Sequence, residues 1–261
     1  MSSRHPDTRA DTGTVSTLIT SRTPARLVLE GLTIVVGILL AFGIDAWWDN
    51  RNAATAERAL LGDVIEELEQ IATVLDGAGA VHEEQRSASG AIVGDGGPLG
   101  EREMAEAVAN LLGFVTLDVS TGALDAALSS DGLGRIASDS TRMLLARWPG
   151  AYLDVVENEV LELDLVEHSL HPLLRTRLSV PDLVSFTRVA GLSQDTAAVA
   201  VRRVRDTAAL MRDLRRLNDD REFQGLVFQL NQNDSAIAGE YEELKRLIAS
   251  IIEAAETSLD R

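Results

Sequence analysis

The sequence predicts an all-α protein in which an N-terminal transmembrane helix continues into a bundle of long helices. Three observations predict it. The stretch from Leu27 to Trp48 is 22 residues long, about 33 Å as a helix and enough to cross a hydrocarbon core of ~30 Å. Beyond it, Leu60, Leu61, Val64, Ile65, Leu68, Ile71 and Leu75 recur at steps of three and four, the period of an amphipathic helix. No segment gives a run of strand alternation, and aromatic residues make up only 4% of a chain rich in Ala and Leu.

Within the opening stretch, only Gly31 to Ile44 is strictly free of charge. A run that short also fits a signal-peptide core or a buried soluble helix. Cleavage after Gly43, with Ala41 and Gly43 as the small residues, is the competing reading. The flanks favour a span. Glu30 and Asp45 lie near the ends, where an acid reaches the interface, and Trp47 and Trp48 stand at the level of an aromatic belt. The helical pattern then runs on without a turn signal. Arg22 and Arg26 precede the span, with Arg4 and Arg9 further back, against Arg51 and Arg58 after it. That bias predicts a cytoplasmic N-terminus. The domains expected are a disordered cytoplasmic tail (1–26), a transmembrane helix (27–48) and an extracytoplasmic α-helical bundle (49–261).

One face of the span repeats every four residues: Thr33, Gly37, Ala41 and Asp45, with Glu30 one step back. Residues so spaced share a helix face. Small residues on it allow a second helix to approach closely, so this face is the candidate for packing against a partner or another copy of the chain. Val35, Ile38, Leu39 and Phe42 occupy the opposite face and suit lipid.

Charge and composition narrow the function. The net charge is −17, and the first 26 residues hold four Arg against two Asp, so the remainder carries −19. Nucleic-acid binding, which needs a basic surface, is excluded as an expectation. The absence of Cys removes disulfides, thiolate metal sites and a Cys nucleophile. Lys245 is the single lysine.

Along the rest of the chain the first helix is expected to reach about Val93. "GDGGPLG" (94–100) is a loop that lacks the Gly-Lys-Ser/Thr ending of a phosphate-binding loop. "EREMAEAVANLL" reads as a short helix and "VTLDVS" as a connector. Ser120 or Thr121 is placed to cap "TGALDAALSS", and "SSDGLG" reads as another turn. Asp139 is the expected cap of a helix that "WPG" (148–150) breaks or kinks, followed by a long helix from Ala151 to Arg175. Val180-Pro181 opens a short helix. Gln194 to Leu217 reads as an Arg-rich amphipathic helix, and Asp219 or Asp220 as the cap of a last helix reaching Ser258. The first and last helices, both long, are expected to pair.

The pattern Glu30, Gly37-Ile38-Leu39, Ala41, Ile44, Trp47 resembles the N-terminal signature of a family of uncharacterised bacterial single-pass membrane proteins. "TGALDAALSSDGLGRIASDSTRMLLARWPGAY" and "DREFQGLVFQLNQNDSAIAGEYEELKRLIASIIE" are similar to that family too. The sequence departs from it at Asp45 and Trp48, where Asn is more usual. The resemblance implies a bacterial inner-membrane location and this architecture, and it brings no chemistry with it.

Constellations that could carry chemistry are sparse. Asp164, His168 and His171 fall at i, i+4 and i+7, with Glu167 adjacent. Two imidazoles and a carboxylate are ligands for zinc or iron. The outer pair is about 10 Å apart on a regular helix, too far for one ion unless another helix helps. "HEEQR" (82–86) lacks the second His of a zinc-protease motif, and there is no Gly-x-Ser-x-Gly. Arg202, Arg203, Arg205, Arg212, Arg215 and Arg216 form the one basic concentration, expected to pair with acids on neighbouring helices. The amides in "FQLNQNDS" (228–235), Gln229, Gln232 and Asn233, are expected to fix helix register or to line a pocket. The expectation is a membrane-anchored binding protein, scaffold or accessory subunit without catalytic residues or a cofactor. Its partners would be the bilayer and a protein met through the span. The alternatives are an extracytoplasmic ligand sensor and a metal-dependent enzyme built on His168 and His171.

Overall fold

The computed structural model describes residues 24–94, 97–183 and 207–260. The described residues are helices and connecting loops, with no strand among them. The elements are α1 (Pro24–Val93), α2 (Glu101–Asn110), α3 (Gly122–Leu128), α4 (Ser130–Arg135) and α5 (Asp139–Leu165). A π-helical turn (Val166–Leu170) follows, then α6 (His171–Arg177), α7 (Val180–Leu183), α8 (Thr207–Asn218) and α9 (Arg221–Leu259). The chain divides into two compact units, one up to Ala53 and one from Ala54.

In the first unit every residue from Val28 to Asn50 is exposed, including Leu39 at 64% and Phe42 at 66%. This is the one stretch, among the described residues, long and apolar enough to cross a membrane by length and composition. The Thr33 hydroxyl donates to the Leu29 carbonyl at 2.8 Å, which satisfies a polar group inside the apolar run. Trp47 and Trp48 lie 6.3 Å apart, and the Arg51 guanidinium sits 5.8 Å from the Trp47 ring centre.

In the second unit α1, α5 and α9 form the frame. Thr141 on α5 meets Ser258 on α9, while Glu159 meets Tyr241, so these helices run antiparallel. Lys245 bonds Asp76 at 2.7 Å, and Asn231 donates to the Arg86 carbonyl at 3.0 Å, so α9 is antiparallel to α1 as well. The expected pairing of first and last helices is present, and α5 packs more extensively still against α9.

Each frame helix buries residues at alternating steps of three and four. On α1 these are Leu61, Val64, Leu68, Ile71, Leu75 and Ala78; on α9, Phe223, Val227, Leu230, Asp234, Ile237, Tyr241, Leu244, Ile248 and Ile251. Burying such an apolar side chain stabilises by roughly 1.5–3 kcal/mol before entropy is counted.

Carboxylates of the long helices tie down the loops. Glu67 on α1 accepts from the Leu124 amide at 2.8 Å and so caps α3 from outside. Glu57 accepts from the Ala137 amide at 2.7 Å. Thr121 stands at the N-cap of α3, but its hydroxyl donates to Asp125 and caps no backbone amide.

Four local expectations need correction. "SSDGLG" is not only a turn: Ser129 accepts from the Gly132 amide and starts α4. Ser138, not Asp139, caps α5 by accepting from the Thr141 amide. α5 runs through Pro149 unbroken. Trp148, 2% exposed and stacked 5.7 Å from Tyr152, anchors both sides of the proline in the core. The long helix expected to end at Arg175 is interrupted by the π turn before α6 continues. Asp220 does cap α9, accepting from Glu222 at 2.9 Å.

Candidate functional site: a buried polar layer

The core of the second unit is two apolar clusters. The first takes in α1 as far as Ala78, α5 as far as Val155 and α9 from Ile237 onward. The second takes in α1 from Ala88, the end of α5 from Leu165 and α9 as far as Leu230. All three helices break their apolar pattern at the same level. His82 and Gln85 come from α1, Glu159 and Glu162 from α5, and Asp234 from α9, each at most 2% exposed.

His82 is the centre of this layer. Its Nδ1 lies 3.4 Å from Asp234 Oδ1 and 3.5 Å from Glu162 Oε1. One ligand-type atom from each of the three residues lies within 4.8 Å of the other two. These separations exceed the 2.7–2.9 Å of a good charge-assisted hydrogen bond. The His82 ring meets Tyr241 edge-on at 5.5 Å. His82 Nε2, both Glu162 oxygens, Asp234 Oδ2 and both amide atoms of Gln85 have no hydrogen-bond partner within the protein.

Glu159, by contrast, is satisfied. It accepts from the Leu117 amide at 2.7 Å and from the Tyr241 hydroxyl. Asn231, one turn before Asp234, donates to the Arg86 carbonyl and to Ser89 Oγ, both at 3.0 Å, and locks α9 to α1 beside the layer.

Burial opposes charge on His82, but close contact with the Asp234 and Glu162 carboxylates and their negative charge outweigh it and lift the imidazole from 6.5 to about 9. Burial pushes the Asp234 carboxyl up; the His82 contact opposes this, and the negative charge of Glu162 adds to it. Burial likewise raises Glu159, partly offset by its bonds from Tyr241 and Leu117. The Tyr241 hydroxyl is raised by burial and by its bond to Glu159.

The sequence-derived candidates fall elsewhere. His168 pairs with Asp164 at 3.0 Å, both largely exposed. His171 lies 3.3 Å from Glu167 and is mostly covered. Asp164 and His168 thus meet as their spacing predicts, while His171, beyond the π turn, pairs with Glu167 instead. Of the amides in "FQLNQNDS", Gln229 and Gln232 are exposed; Asn231 and Asp234 are the residues that reach the neighbouring helix or core. Arg215 bonds Glu101 on α2 at 3.1 Å, the expected pairing with a neighbouring helix, whereas Arg216 approaches Asp213 of its own helix at 3.6 Å. Arg202, Arg203 and Arg205 lie outside the described residues, as does Arg22; Arg26 lies on α1. Glu30, Thr33, Gly37, Ala41 and Asp45 are all helical and exposed, and a Cβ added at Gly37 would meet nothing within 4 Å.

Residue spacing alone held the signal for the polar layer. Continuing Leu75 and Ala78 by the same steps lands on His82, Gln85 and Ser89. Continuing Thr141, Leu145, Trp148 and Val155 lands on Glu159 and Glu162. Polar residues at core positions of three long helices are the mark of an internal site. No family model, no curated protein and no solved structure matches this chain.

Proposed function

We propose that the protein is a membrane-anchored binding protein or scaffold of a bacterial inner membrane. Its N-terminus lies in the cytoplasm, and its helical bundle is extracytoplasmic. The observation that carries this reading is the stretch from Val28 to Trp48, predominantly apolar and exposed along its whole length. An exposed apolar face of that size on a single helix calls for lipid or another helix to cover it. The Arg residues before it favour the inward N-terminus.

The Glu30, Thr33, Gly37, Ala41, Asp45 face packs against the span of a partner or of a second copy. Packing in lipid rests on close backbone approach, which small residues permit. Gly37 tests this cleanly, because a Cβ added there meets no atom of the described residues within 4 Å. Crosslinking in native membranes, followed by capture and mass spectrometry, should yield a specific adduct that Gly37→Leu abolishes. An adduct unchanged by Gly37→Leu would remove this face from the interaction. Orientation has its own test. Alkaline phosphatase fused after Arg261 should be active, and an inactive fusion reverses the topology.

A further inference from the structure

We propose that His82, Glu162 and Asp234 form a binding site for one divalent transition-metal ion, which ties α1, α5 and α9 together inside the bundle. The site goes beyond the binding role above and does not depend on it.

The first argument is the donor set. One imidazole and two carboxylates, with no thiolate in the chain, suit zinc, manganese or ferrous iron. The second is spacing. Ligand atoms held tetrahedrally at about 2.0–2.2 Å from one ion lie roughly 3.3–3.6 Å from each other. His82 Nδ1 is 3.4 and 3.5 Å from the two carboxylate oxygens, and all three ligand atoms lie within 4.8 Å. The gaps are too long for strong direct bonds and close to those across an ion.

The third argument is unmet bonding capacity. Both oxygens of Glu162 lack a hydrogen-bond partner in a side chain only 1% exposed, and Asp234 Oδ2 lacks one in a side chain fully buried. A buried acceptor left without a partner costs about 1–3 kcal/mol, more when charged. A cation held between the two carboxylates offsets that cost, directly at Glu162 Oε1 and through its charge at the remaining oxygens. The fourth is charge. Neutral imidazole with two carboxylates carries two negative charges, and a divalent cation cancels them. Without a metal, an imidazolium alone cancels only one of these charges, and a second proton on a carboxyl is needed to neutralise the layer.

Gln85 stands one turn along α1 from His82, equally buried, with both amide atoms unpartnered. The layer is closed above and below by apolar clusters. A closed site of this kind is structural: it fixes the level at which three helices meet, where apolar packing is interrupted.

The test uses the full-length protein in detergent, stripped with chelator, loaded with Zn²⁺ or Mn²⁺ and passed through a desalting column. Mass spectrometry should find about one equivalent of either metal per chain. His82→Gln and Asp234→Asn should each lower retention roughly tenfold or more. A His168→Ala, His171→Ala double variant should retain the metal. Should the core variants not fold, the wild type still decides the matter. X-ray absorption of bound zinc should show nitrogen and oxygen ligands with a single imidazole. Absence of both metals after desalting overturns the proposal and leaves the triad held by protons alone. Retention undiminished in folded Asp234→Asn, loss in the His168/His171 variant, or a shell with two imidazoles also overturns it.

Discussion

His82 meets Glu162 and Asp234 with all three side chains withdrawn from solvent, so its protonation is linked to folding. Its imidazole is raised from 6.5 to about 9 in the fold. The stabilisation that goes with the proton is fully present below about pH 6.5 and is lost as pH rises through about 9, on the order of 3 kcal/mol. Asp234, also raised, acts in the same direction, because the folded state holds its proton to higher pH. Glu159 and Tyr241, the other titratable groups beside the ring, are raised too. The metal-free protein should therefore melt at progressively lower temperature from pH 6.5 to 10, measured by thermal unfolding in chelator. A flat or rising profile would mean the imidazole is not charged in the fold. Saturating zinc should reverse the slope, since metal binding needs the deprotonated ligands. At this scale the sequence was legible in its spacing and opaque in its chemistry. His82 and Asp234 lie 152 residues apart, and only the antiparallel pairing of α1 with α9 makes them neighbours.

At the scale of elements, local rules locate the helices well and their interruptions poorly. Apolar periodicity carries α1 to Val93, and Asp220 announces α9 by accepting from the amides of Glu222 and Phe223. Pro149 shows where a local rule loses. Proline removes one backbone bond and crowds the preceding turn. Yet Leu145, Trp148 and Val155 are buried on both sides of it, and that burial holds α5 together across the defect. The π turn at Val166–Leu170 stands just before Pro172, whose missing N–H and ring disturb the turn that precedes it. It undoes the spacing argument that grouped Asp164 with both His168 and His171. Capping of α3 was hidden for a different reason. Its acceptor is Glu67 of α1, 57 residues away from the Leu124 amide it satisfies. Caps supplied by another helix leave no trace in the local sequence.

At the scale of the whole molecule, two kinds of apolar surface coexist in one chain. Between Val28 and Trp48 apolar residues are exposed without exception, whereas both apolar core clusters are built from residues after Ala53. Every described side chain before Ala54 is exposed, so the first unit contributes nothing to either cluster. A fragment from Asn52 to Arg261 therefore keeps both core clusters, the polar layer and the loop-capping carboxylates Glu57, Glu67 and Glu159. It also loses the Val28–Trp48 surface that would drive aggregation in water, and it keeps a strong net negative charge, which favours solubility. The fragment should be soluble without detergent, give a strongly helical circular dichroism spectrum and unfold in a cooperative transition. A strand-rich spectrum would refute the bundle. A soluble, helical fragment that melts without cooperativity would mean the two apolar clusters do not fold as one unit. Restoration of a sharp transition by zinc would then place the coupling between them in the layer of His82, Glu162 and Asp234.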